Sequence, residues 1–101
     1  MSNVKFKAYE NISKPFEDVR TPQSFRLVGE FTIAVAEGLD PASAIETLFA
    51  IGNRMGEDAK GKSWPETRRS MSVGDLVRVG RANYVCDGSG WSRSIIKHTL
   101  E

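Results

Sequence analysis

Apolar and polar residues alternate in two stretches of the first third of the chain. Val4, Phe6 and Ala8 share one side of a segment whose other side carries Lys5, Lys7 and Tyr9. A period of two is that of a half-buried strand, and the lysines suit an exposed edge. Residues 10–24 break the pattern with Pro15 and Pro22 and read as a loop, with Phe16 and Val19 as anchors into the core. Alternation returns with Phe25, Leu27, Phe31, Ile33 and Val35 on one face and Arg26, Glu30 and Thr32 on the other. A helix gathers fewer of these residues into one stripe. The expectation is a long strand, bent or bulged at Gly29, where no side chain contributes packing.

The period then changes. Asp40 is placed to accept hydrogen bonds from the first free N–H groups of a helix, and Pro41 suits the first helical position. Ile45, Leu48, Phe49, Gly52 and Met55 follow as one apolar stripe, with Gly56 as the stop. Residues 56–69 are polar, broken by Pro65, and read as a surface loop pinned by Trp64. Beyond them, Gly74-Asp75 turns the chain into a strand from Leu76 to Val79. Gly80-Arg81 is a type II′ hairpin turn and Ala82 to Cys86 the return, which sets Val77 opposite Tyr84 and Leu76 opposite Val85. Asp87-Gly88-Ser89-Gly90 forms a second turn, and Trp91 to Ile96 a third strand. The fold class expected is α+β, one main helix packed on a small antiparallel sheet, as a single domain over residues 1–101.

Composition narrows the setting. At 40% hydrophobic and 27% charged residues, the 101-residue chain has an ordinary globular balance. No apolar run is long enough to span a bilayer, and the N-terminus lacks the apolar core of a signal peptide, so no membrane partner is expected. The single cysteine, Cys86, excludes an internal disulfide, and a reducing cytoplasm is the expected compartment. Net charge is +1, but the halves differ: five basic against seven acidic residues through position 50, nine against six beyond it. Arg68, Arg69, Arg78, Arg81, Arg93 and Lys97 supply most of the basic excess.

Candidate chemistry adds little. Gly56-Glu57-Asp58-Ala59-Lys60-Gly61-Lys62-Ser63 fits the phosphate-loop pattern G-x-x-x-x-G-K-[ST] letter for letter. That motif works when a buried strand precedes the loop and a helix follows it. Here a helix precedes it, Trp64-Pro65 follows, and Glu57 and Asp58 put negative charge beside the phosphates. A flexible Gly/Lys loop is the better reading. His98 is the only histidine and reads as a solvated tail residue. Ser89 lacks the first glycine of a nucleophile elbow, and Cys86 ends an apolar strand as a buried thiol. No metal spacing is present, so no catalytic, cofactor or metal site is expected. Asn11-Ile12-Ser13 matches a glycosylation acceptor, which carries no weight in a cytoplasmic protein.

One segment has a family flavour. Arg69-Ser70-Met71-Ser72-Val73-Gly74-Asp75-Leu76-Val77, followed by Tyr84-Val85-Cys86-Asp87 and Gly90-Trp91, resembles a C-terminal segment of YodL-like domains and related small uncharacterised proteins of phages, plasmids and integrative elements. The resemblance covers about the last 60 residues, with Ala44 to Arg54 in the place of the family's helix. It implies a mobile-element setting and no catalytic residue.

The expected function is therefore non-catalytic binding of a macromolecular partner, by an accessory protein of phage or mobile-element origin. A host protein or protein complex is the favoured partner, with inhibition of a host defence system (anti-restriction or anti-CRISPR-like) as a specific form. The contact candidates are the loop carrying Trp64, Arg68 and Arg69 and the turn from Asp87 to Trp91. The alternative is a nucleic-acid-binding accessory domain using a basic C-terminal β-sheet, with Arg78, Arg81 and Arg93 joining Arg68 and Arg69 on phosphates. The chain is expected as a monomer, or as a homodimer joined through the Val4–Tyr9 edge.

Overall fold

A computed structural model describes residues 1–17 and 19–101. Six strands form one curled, mixed sheet: β1 (Ser2–Asn11), β2 (Ser24–Val35), β3 (Leu76–Val79), β4 (Ala82–Asp87), β5 (Gly90–Ser94) and β6 (Thr99–Leu100). Their order across the sheet is β5-β4-β3-β1-β2-β6, antiparallel throughout except for the β2–β6 pair. Among the described residues the one α-helix, α1 (Ile45–Gly52), is preceded by a 3-10 turn, Pro41–Ala44.

This corrects the expected architecture. Strands take 39% of the chain and helix 12%, so the molecule is a mostly β half-barrel, not a main helix on a small antiparallel sheet. The helix is short for a local reason. Asp40 caps the 3-10 turn through Ala42 N–H at 3.0 Å, as its position suggests. At the other end Arg54 adopts φ +64°, and Met55 N–H and Arg54 N–H donate back to the Ala50 and Ile51 carbonyls. That is a Schellman closure, which normally recruits glycine. It ends the helix before Gly56 and leaves Met55 exposed rather than in the apolar stripe. Gly52 allows Met71 to lie against the last turn: a Cβ there would sit 2.7 Å from the Met71 Cβ.

β1 is also not an edge strand: over Phe6–Tyr9 it is paired on both sides, so the Val4–Tyr9 segment expected as an open edge is open only at its start. It lies between β2 and β3, and Lys5 and Lys7 project from the face opposite the helix. The bulge expected near Gly29 is present. Ala8 pairs with Gly29 but Tyr9 pairs with Leu27, so Val28 is the extra residue. Because a one-residue slip exchanges faces, Phe31, Ile33 and Val35 join the helix-side core while Phe25 turns to the other side. The sheet thus buries apolar residues on both faces. Phe6, Ala8, Phe31, Val77, Ile45, Leu48 and Ile51 fill the helix side. Tyr9, Phe25, Leu76 and Val85 form a smaller cluster opposite, capped by Val19 and Leu100.

The C-terminal hairpin matches its expected register, with Val77 opposite Tyr84, Leu76 opposite Val85, and Gly80 at φ +59° in the turn. After β5 the chain leaves one edge of the sheet and returns as β6 beside β2 at the other edge. The sequence held no sign of β6, two residues whose pairing depends on backbone bonds between Thr99, Glu101 and residues 23–27. No described helix is long and apolar enough to cross a membrane.

Candidate functional site

The loop that matches the phosphate-binding pattern is tied to the sheet. Asp58 accepts hydrogen bonds from the N–H groups of Thr32, Lys60 and Lys62, and Ala59 N–H donates to the Thr32 carbonyl. The Asp58 and Gly61 N–H groups are bonded within the loop as well. Burial pushes the Asp58 carboxyl up, but the Thr32, Lys62 and Lys60 donors and the Lys62 charge outweigh it and hold the group below its ordinary value. The N–H groups that would cradle a phosphate already surround the chain's own carboxylate. Lys62 reaches back to the Glu30 carbonyl at 2.9 Å and lies over the Phe31 ring. The segment therefore covers the β2 edge.

The expected contact loop is equally engaged. Trp64 is 5% exposed, stacks on Phe31 at 5.5 Å, and donates its indole N–H to the Arg69 carbonyl. Arg68 bonds Glu10 at 3.1 Å and the Leu27 carbonyl at 3.0 Å. Arg69 forms two bonds to Asp75, at 2.7 and 2.8 Å, with Glu10 at 3.8 Å and the Phe16 ring beneath its guanidinium. Asp75 is 2% exposed and also accepts from Asn11 N–H and Ser72 N–H. Asn11 in turn donates to Gln23 and to the Gly74 carbonyl. Charge-assisted bonds of this kind fix geometry, so the Ser72–Asp75 turn reads as a folding device that seats the hairpin. Gly74, at φ +92°, admits no side chain, since a Cβ would meet the Glu17 carbonyl oxygen at 2.8 Å.

The remaining arginines are divided by the pleat. Arg78 projects from the face opposite the helix, where it pairs with Lys7 along the sheet and bonds Asn83 at 3.0 Å. Arg93 lies opposite Tyr84, on the helix-bearing face, beside Trp91. Arg81 stands exposed at the hairpin turn. The five arginines therefore do not form one cluster.

Two recesses adjoin at Arg78. One, about 370 Å³, lies between the β3–β4 hairpin and the crossover after β5, lined by Arg78, Arg81, Asn83, Lys97 and His98 and bordered by Arg93. No described carboxylate lines it. The other, about 360 Å³, is lined by Lys5, Lys7 and Arg78 and by one acid, Glu30, which sits 3.9 Å from Lys5. Ile95, 92% exposed, stands at the rim of the first. The basic excess of the C-terminal half groups Arg78, Arg81, Arg93 and Lys97 but leaves Lys5 and Lys7 out, because strand order alone brings β1 beside β3.

No family model, curated protein or solved structure matches the chain.

The groups that would serve catalysis are occupied. His98 Nδ1 accepts the Gln23 N–H at 3.1 Å, which places the ring proton on Nε2, 3.2 Å from Ser94 Oγ. Its ring packs edge-on against Phe25, and burial pulls its pKa below the ordinary value. Burial pushes the Cys86 thiol up to about 11, with Asp75 and Asp87 adding to the effect. It is a protonated thiol at neutral pH. A recess of about 580 Å³ is lined in part by Asp87, whose carboxylate is held low by the Ser92 hydroxyl and the Ser89 N–H and hydroxyl of its own turn. Among the described residues no three His, Cys, Asp or Glu side chains gather to hold a metal.

Proposed function

We propose that this chain is a non-catalytic module that binds nucleic acid through the sheet face opposite its helix. The observation that carries the reading is the pair of adjoining grooves at Arg78, lined by Lys5, Lys7, Arg81 and Lys97 against a single described carboxylate, Glu30. A chain of net charge +1 that keeps this many cations along one open path suits the regular negative charge of a phosphate backbone. Exposed rings are scarce there, so phosphate pairing rather than base stacking supplies the affinity. Sequence preference is correspondingly weak.

A protein-directed reading, including inhibition of a host defence machine, ranks second. Trp64, Arg68 and Arg69 are engaged inside the fold, which leaves Asp87, Trp91 and Arg93 as its surface.

The test is fluorescence anisotropy of a labelled thymidine 20-mer and of a duplex, titrated across salt. Each phosphate that a side chain neutralises adds about 0.7 to the steepness of log K against log salt for a single strand. Binding should weaken steeply with salt, and Arg81→Ala with Lys97→Ala should reduce the slope by about 1.4. Absence of binding at low salt, or a slope unchanged in the double variant, overturns the reading.

A further inference from the structure

We propose that β5 is a self-association edge, at which two copies pair their Gly90–Ser94 strands antiparallel about a two-fold axis at Ser92. The inference rests on a different observation from the nucleic-acid reading, the unpaired backbone edge of β5, although Arg93 also borders the groove at Arg78. β5 has one neighbour, β4, and its outer edge is unpaired: none of the described backbone bonds outside the sheet ladders involves residues 90–98.

The other edges are protected. β6 has only two residues, and the outer edge of β2 is bonded at Thr32 by Asp58 and Ala59. Ser2–Lys5, which extends beyond β3, carries a lysine. β5 has no proline, lysine or bulge of the kind that guards an edge.

The occupant follows from register. In antiparallel pairing the residues around the axis exchange places, so centring on Ser92 sets Trp91 of one copy opposite the partner's Arg93, twice. Trp91 and Arg93 lie two residues apart and therefore on one face, the helix-bearing face, where Trp91 packs edge-on against Phe49 at 6.0 Å. Beside them runs a recess of about 370 Å³ lined by Glu46, Phe49, Asn53, Cys86, Asp87 and Trp91. No cationic side chain is among its described lining residues. A guanidinium arriving from the partner strand meets a tryptophan ring and, across the recess, the Glu46 carboxylate, an arrangement that favours arginine. The same register keeps the two Arg93 side chains from facing each other. A second copy is thus the occupant whose charge and spacing the edge already matches.

The interface is a single short strand pair, so association is concentration-dependent. Sedimentation equilibrium from about 10 µM to about 1 mM spans the range expected of a small interface. Hydrogen exchange at the two extremes maps which amides it protects. The mass should rise toward twice that of the chain, with new protection confined to residues 90–94. Arg93→Glu, which removes the cation over the Trp91 ring and sets like charge against Glu46, should weaken association about tenfold or more, while Arg93→Lys weakens it less. Both variants alter an exposed side chain, and their melting curves report whether the monomer is intact. A monomer mass throughout, a dimer indifferent to Arg93→Glu, or protection at another strand overturns the proposal.

Discussion

Replacing Asp75 with asparagine tests what holds the C-terminal hairpin onto the rest of the sheet. The carboxylate is 2% exposed and accepts four hydrogen bonds: two from Arg69 at 2.7 and 2.8 Å, one from Asn11 N–H at 3.0 Å and one from Ser72 N–H at 2.9 Å. Removing one partner of a buried ion pair costs about 3–5 kcal/mol. Two features lower that figure. Asparagine keeps one carbonyl oxygen, which recovers about 1 kcal/mol of neutral hydrogen bonding. Arg69 is 28% exposed and lies 3.8 Å from Glu10, so its charge is not stranded. The expected loss is about 2–4 kcal/mol, a large share of the roughly 5–15 kcal/mol that stabilises a domain. Urea unfolding followed by tryptophan fluorescence reads it directly, since the Trp64 indole bonds the Arg69 carbonyl. The midpoint should fall with the urea slope unchanged. A loss below about 1 kcal/mol would place the pair among surface salt bridges and refute the argument.

Gly52→Ala should destabilise despite its better helix propensity, by about 1–3 kcal/mol, because the new Cβ overlaps Met71; a melting temperature at or above wild type would contradict this. His98 has a folded pKa below its ordinary 6.5, so its contribution to stability is complete above that value and is lost as pH falls below it toward the folded pKa. His98→Asn, which keeps an acceptor for the Gln23 N–H, should flatten the melting temperature across that window, and an unchanged profile would remove the histidine from the account. Cys86, with its thiol near 11, should react slowly with a disulfide reagent at pH 8 in the folded chain and rapidly in urea; equal rates would show an accessible thiolate.

What was legible in the sequence was local. A hairpin is set by its turn, so Gly80-Arg81 was enough to assign the β3–β4 register residue by residue. The bulge beside Gly29 was legible for the same reason, although its consequence was not. The slip at Val28 carries Phe25 to the opposite face, where it meets Tyr9, Leu76 and Val85, and a simple alternation count assigns it to the wrong core. The central position of β1 was hidden because lysines on a strand mark an edge only when the strand is one. Lys5 and Lys7 instead occupy the polar face of an interior strand. The length of α1 was overestimated because its stop is a left-handed arginine, a position that composition assigns to glycine.

The candidate site shows the same division between local pattern and assembled geometry. Arg68 and Arg69 look alike in sequence to Arg78, Arg81 and Arg93, since each is a cation in a basic half. Only the fold brings Glu10 from β1 and Asp75 from the hairpin turn against the first two. Those two arginines became internal struts because carboxylates reached them first, in a place where water is scarce. Arg81 and Lys97 have no described carboxylate along their groove, so no acid there offsets their charge. The phosphate-loop letters fail by the converse logic. Their N–H groups have the right density, but Asp58, inside the motif, supplies the anion and folds the loop around itself. In both cases the deciding quantity is which charge of opposite sign the chain itself delivers. A basic or amide-rich segment of this molecule keeps its charge unspent only where the fold brings no acid to it.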